Sequence, residues 1–177
     1  MVDVRNLYAQ NKPASAGSED FLKLDDGDSV RVRFLDLPVE FTTEFQDGKT
    51  AVRWAWPIYN FDSEKMQIFE AGKMIYNALN DLIQDEEYGD PAGYDVKIAR
   101  TGKSATDTRY TVTPTRENKE VPKDADPIDV LKVKSSSQYA TNVHRLGEEA
   151  SADEPITDIV LEDIEDKPID LSEIPFN

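Results

Sequence analysis

From Asp28 onward the chain alternates apolar and polar side chains, with Val30, Val32 and Phe34 on one side of an extended backbone and Ser29, Arg31, Arg33 and Leu35 on the other. A period of two belongs to a half-buried β-strand. Val39 to Phe45 predicts a second strand and Thr50 to Tyr59 an aromatic-rich return strand. Asp47-Gly48 between them reads as a hairpin turn, because glycine supplies the positive φ that tight turns need. Asp62-Ser63-Glu64 marks the next turn, and Lys65 to Phe69 a short strand with Met66 and Ile68 inward and Phe69 on the opposite side. After Ala71-Gly72 the period changes: Met74, Ile75, Ala78, Leu79, Leu82 and Ile83 form the apolar stripe of an amphipathic helix. It runs into the acidic cap Asp85-Glu86-Glu87 and stops at Gly89 and Pro91, which cannot continue it. Tyr94 to Thr101 and Arg109 to Thr115 predict two more strands, joined by Gly102 to Asp107.

Strands, one helix and two further strands make an all-β chain with one helix. About five strands with a helix after the third is the layout of an OB fold, a small Greek-key β-barrel whose second and third strands and adjoining loops form an oligonucleotide-binding face. Residues 1–20 then read as a flexible arm, 21–146 as the OB-fold domain and 147–177 as a disordered acidic tail. Within the domain, Asp126-Pro127 predicts a turn, Ile128 to Val133 an extra strand or short helix, and Ser135 to Ser137 a loop.

Charge changes the picture most at the tail. Residues 147–177 hold eleven acids and one base, a charge of −10, so the total of −16 leaves −6 for residues 1–146. Like charges repel and cannot bury enough apolar surface to offset the entropy of ordering, so the tail is expected to act as a tether. Ile174, Pro175 and Phe176 at its tip can fill a pocket on a partner, and Asp170 and Glu173 beside them select a basic rim. The acidic body argues against an indiscriminate nucleic-acid binder, so any DNA contact must come from a local patch.

The middle of the chain offers the two groups that unpaired nucleotides require, cations for phosphates and flat rings for bases. Arg31, Arg33, Lys49, Arg53, Lys65, Lys73, Lys97, Arg100, Lys103 and Arg109 recur through the predicted strands and loops, and Trp54, Trp56, Tyr59, Phe61 and Phe69 cluster in the third-strand region. Trp54 and Trp56 share one strand face and Arg53 takes the other, so either tryptophan is core or stacking platform. Arg31, Arg33, Arg53 and Lys97 point away from the apolar faces of their strands and are expected on the solvent side. Tyr59, Phe61 and Phe69 are the favoured stacking rings.

The acidic tail ending in Ile-Pro-Phe resembles the C-terminal tip of bacterial SSB-type single-stranded-DNA-binding proteins, with Asn177 following Phe176 as a departure. Three further segments, Gly27 to Leu35, Trp54 to Tyr59 and Gly102 to Val112, together with Tyr88-Gly89-Asp90 through Tyr94-Asp95-Val96, are similar to the pattern of tailed-phage single-stranded-DNA-binding proteins. The resemblance implies an OB fold that coats single-stranded DNA without sequence preference in replication, recombination and repair. It also implies recruitment of replication or recombination enzymes through the tail, and leaves a homo-oligomer open. The branch of that family with a Cys/His zinc element is excluded, because the chain has no cysteine and one histidine, His144.

Other chemistry finds no support. Gly102-Lys103-Ser104 lacks the glycine of a phosphate-binding loop five residues earlier, where Lys97 stands. Asp85, Glu86 and Glu87 are consecutive on a helix end and point in different directions, and His144 lacks triad partners at a suggestive spacing. The expectation is a non-enzyme with no cofactor or metal. No signal-peptide core and no stretch near ~20 apolar residues is present, so a cytoplasmic protein without a membrane partner is expected, in the host cytoplasm if phage-encoded. The rival is an acidic DNA mimic or protein-interaction module that occupies a nucleic-acid enzyme, which accounts for the charge of −6 without a basic patch.

Overall fold

The structure, a computed structural model, describes residues 18–148, so the arm and tail expected from the sequence fall almost wholly outside the described residues. Seven strands form one antiparallel sheet: β1 (Ser29–Phe34), β2 (Val39–Glu44), β3 (Thr50–Asn60), β4 (Lys65–Ala71), β5 (Val96–Thr101), β6 (Arg109–Pro114) and β7 (Ala140–Arg145). Two helices accompany them, α1 (Lys73–Gln84) and α2 (Val130–Ser135). Alternation at Val30, Val32 and Phe34 and the helical stripe through Ile75 and Leu79 therefore become the elements they predict. The acidic run Asp85 to Glu87 lies just beyond α1, whose last turn closes when Asp85 N–H donates to the Leu82 carbonyl at 3.2 Å.

The sequence predicts four strands before the helix; the pairing shows how two of them act as one. Phe34 pairs with Ile58, the Leu35 N–H reaches the Pro57 carbonyl at 3.0 Å, and Val39 pairs with Ala55. β1 and β2 thus follow one edge of β3 as halves of a single bent path, with residues 35–38 at its corner against only 56–57 on β3. β4 takes the other edge of β3 from Trp54 to Asn60, and β5 and β6 extend the sheet beyond β1. The sheet is open, because among the described residues no ladder joins β4 to β6. The free edge of β4 is met instead by the incoming chain, where Phe21 bridges Ile68 and the Leu22 N–H donates to the Ile68 carbonyl at 2.9 Å.

The concave face of this sheet holds Val32, Phe34, Trp54, Trp56, Ile58, Phe69, Val96 and Ile98, closed at one end by Ile75 and Leu79 of α1. A second cluster lies on the other face of β2, β3 and β4, where Val39, Phe41, Ala55 and Ile68 meet Val130 of α2 and half-buried Phe21, Leu131 and Val143. Residues 117–146 are therefore a cover: α2, capped by the Asp129 carboxylate, seals this face, and β7 adds to β2. Each large side chain so buried contributes about 1.5–3 kcal/mol.

This cover corrects the reading of β4. Ile68 is inward as expected, but into the second cluster, while Phe69 packs in the first beside Trp56 at 6.2 Å between centroids. Ile68 and Phe69 are buried on opposite faces of β4, so period-two alternation cannot identify an exposed ring there.

Candidate nucleic-acid interface

One broad face of the sheet stays open, on the outer side of β6, β5, β1 and the end of β3. The alternation that buries Val30, Val32 and Phe34 sends Arg31 and Arg33 to this side, and the same parity exposes Lys97 on β5 and Arg109, Thr111 and Thr113 on β6. Register aligns them. Thr113 lies opposite Lys97, Lys97 opposite Arg31, and the Phe61 N–H donates to the Arg31 carbonyl at 3.0 Å, so a hydroxyl, two cations and a ring cross the strands in one row. In the next row Arg33 stands opposite Tyr59, whose ring meets Phe61 edge-on at 5.0 Å.

Arg31 and Arg33 are held by a carboxylate absent from the sequence-based candidates. Asp95, whose side chain is fully buried, takes Arg31 on one oxygen at 2.7 and 2.8 Å and Arg33 on the other at 2.5 and 2.7 Å. It also accepts the Lys119 N–H at 2.8 Å, while its own N–H donates to the Asn118 side chain at 3.0 Å. Nη2 of Arg31 also donates to the Glu117 carbonyl and Nη2 of Arg33 to the Lys119 carbonyl. Two guanidiniums on one carboxylate leave one net positive charge and fix residues 115–119 along the rim.

Lys119, so positioned, stands 5.7 Å from the Phe61 centroid, with the Arg31 guanidinium at 5.8 Å. Beside it Arg33, Asn118, Lys119, Glu120 and Lys123 line an open cleft of about 630 Å³. Lys97, Lys103 and Lys123 make no ion pair among the described residues. No family model, curated protein or solved structure matches this chain.

Of the residues expected at the interface, Arg31, Arg33, Lys97, Tyr59 and Phe61 are brought together, and exposed Lys103 and Arg109 extend the same face along the β5–β6 hairpin. Lys65 adjoins Phe61 across the β3–β4 turn but pairs with Glu19 at 3.6 Å. Lys49 sits at the tip of the β2–β3 hairpin, at the far end of the eleven-residue β3, paired with Asp47 at 3.0 Å. Trp54, Trp56 and Phe69 are buried in the concave core, Trp54 stacked on Tyr76 at 4.3 Å and donating its indole N–H to Glu40 at 2.9 Å. Tyr59, expected as a free stacking ring, is also buried, with only Phe61 half-exposed. Arg100 turns inward to the Leu24 carbonyl and Thr108.

Arg53, expected on the solvent side, lies half-buried beside Lys134 beneath the cover, and its buried Nε has no partner among the described residues. Lys134 of α2 contacts the Glu70 carboxylate and stands 4.5 Å from the Phe41 ring and 5.1 Å from Phe21. Burial, and then the charge of Arg53, push its ammonium down to about 8, against the pull of Glu70. The second- and third-strand face expected to bind nucleotides is thus filled by α2 at its hairpin end.

The tip residues Asp170, Glu173, Ile174, Pro175 and Phe176 lie outside the described residues. Among the described residues no cluster of His, Cys, Asp or Glu could hold a metal ion, and no helix is long and apolar enough to cross a membrane. Asp95 and Lys119 were not recognisable in sequence because their roles depend on register. The one available signal was an acid interrupting the otherwise apolar Tyr94-Asp95-Val96.

Proposed function

We propose that this chain is a non-catalytic OB-type protein that binds single-stranded DNA with little sequence preference across the outer face of β6, β5, β1 and Phe61. The observation that carries the reading is the cross-strand row Thr113, Lys97, Arg31, Phe61, flanked by Lys119, in a chain that is otherwise strongly acidic. Cations track the backbone and the one half-exposed ring takes a base. The OB assignment is supported by strand order: with β1 and β2 as one bent strand and β7 set apart as part of the cover, five strands remain, the helix follows the third, and the gap between β4 and β6 is that of a partly open barrel. The interface is displaced from the usual second- and third-strand face because α2 occupies it. In this reading the protein coats transient single strands during DNA replication, recombination or repair in the cytoplasm, and the acidic tail and its Ile174-Pro175-Phe176 tip recruit partner enzymes.

Anisotropy of a labelled oligo(dT) across a salt series tests it. Lys97→Ala should flatten the log–log salt dependence by about 0.7. Phe61→Ala should weaken binding by about 1–3 kcal/mol with the slope unchanged. Removing residues 149–177 should tighten binding at low salt, because the tail competes for the same cations. Failure of the full chain to bind oligo(dT) at low salt would end this reading in favour of the acidic mimic.

A further inference from the structure

A second concavity lies away from the interface, between α1 and the corner where β1 passes into β2. It has a volume of about 530 Å³ and an apolar lining that includes Leu35, Leu37, Trp56, Leu79 and Ile83, with Asp36 and Asp90 on its rim. Leu37 and Ile83, both lining the cleft, are 55% and 45% exposed, large aliphatic surface left open to solvent. The surroundings are acidic: between Met74 and Val96 the chain has no Lys or Arg, and Asp81, Asp85, Glu86, Glu87 and Asp90 are all exposed. Asp36 alone is offset, by Arg145 at 3.7 Å. Such a cleft selects apolar side chains carried on a cationic segment.

Two segments of this chain lie outside the described residues, and charge separates them. Residues 149–177 hold ten acids and one base and would be repelled. Residues 1–17 carry Arg5 and Lys12 against Asp3, and Val4, Leu7 and Tyr8 are spaced so that one helical turn would put them on one side. The anchor is close. Phe21 bridges Ile68, Ile68 pairs with Pro57, and Pro57 bonds to Leu35 in the cleft wall. Three strand spacings of about 4.8 Å place Phe21 about 15 Å from that wall. Leu7 and Tyr8 precede Phe21 by thirteen or fourteen residues, with a root-mean-square reach of about 20 Å. A tether matched to its span gives an effective concentration near millimolar.

We propose that residues 4–8 of the same chain dock in this cleft, with Leu7 and Tyr8 against Leu37 and Ile83 and with Arg5 toward the acidic end of α1. The chain has no cysteine, which permits a clean test. Gln10→Cys is combined with Asn80→Cys at the cleft or with Thr111→Cys on the exposed outer face of β6, and disulfide formation is followed on non-reducing gels. The Asn80 pair should close within one chain about tenfold faster than the Thr111 pair, the excess expected when docking raises local concentration. Adding Leu7→Asp should abolish that advantage. Equal rates at the two positions, an advantage that survives Leu7→Asp, or disulfides formed only between chains would each overturn the proposal, the last by assigning the cleft to a second copy. None of these outcomes bears on whether oligo(dT) binds.

Discussion

Replacing Asp95 with asparagine should move stability and DNA binding in opposite directions. The Asp95 side chain is fully buried, and the side chains of Arg31 and Arg33 that share it are 23% and 14% exposed. Removing one partner of a buried ion pair typically costs about 3–5 kcal/mol, because the remaining charge is left uncompensated. The partial exposure of both arginines places Asp95→Asn near the lower end, about 3 kcal/mol, or a fall in Tm of roughly 10 °C for a domain of this size. The same substitution frees two guanidiniums on the face assigned to DNA. Because the clasp already carries one net positive charge, the substitution adds one more, so the salt dependence on oligo(dT) should steepen by about 0.7, the single-strand value per phosphate, and low-salt affinity should rise. Thermal unfolding and anisotropy on the same preparation give both numbers. A Tm within about 3 °C of the parent would refute the clasp as a stabilising feature. A large loss of stability with an unchanged salt slope would keep the clasp but refute the interface. Arg33→Met in the Asp95→Asn background should recover part of the lost stability, since the two residues are in contact and their effects do not add.

Lys134 predicts a pH dependence. Its ammonium is held at about 8 in the fold, against ~10.4 in the unfolded chain. Between those values the unfolded state holds the proton and the folded state does not, so this group makes stability rise with pH across the window. Denaturant unfolding at stepped pH should show the rise, and Lys134→Met should remove it; a rise that persists in the variant would place its origin elsewhere. Trp54 and Trp56 are both core residues, so their emission should be blue-shifted and hardly quenched by saturating oligo(dT). Deep quenching would mean that a tryptophan meets the bases after all.

Much of the architecture could be read from local pattern. Six of the seven strands and the long helix follow from alternation and helical spacing confined to a few residues, as at Val30, Val32 and Phe34 or Ile75 and Leu79. The exception, β7, is as long as β1 but shows no alternation of buried and exposed positions, and pairs with a strand about a hundred positions earlier, as in Thr42 with Thr141. The outward direction of Arg31 and Lys97 was equally legible, since parity along a strand needs no knowledge of its neighbours. Arg53 has the same parity, yet α2 covers it, a consequence of residues 117–146 that no pattern near Arg53 announces.

The linear chain therefore settled its own charge, its turns and the two sides of each strand, because these depend on neighbouring residues alone. Folding settled which sides stay wet and which charges remain free, because those depend on partners far apart in sequence. Arg31 meets Asp95 across 64 positions, Trp56 meets Phe69 through strand register, and Lys134 reaches Glu70 only when α2 packs on the sheet. Burial and ion pairing are properties of such non-local contacts, and they separate the rings and arginines that hold the fold together from the few able to meet another molecule.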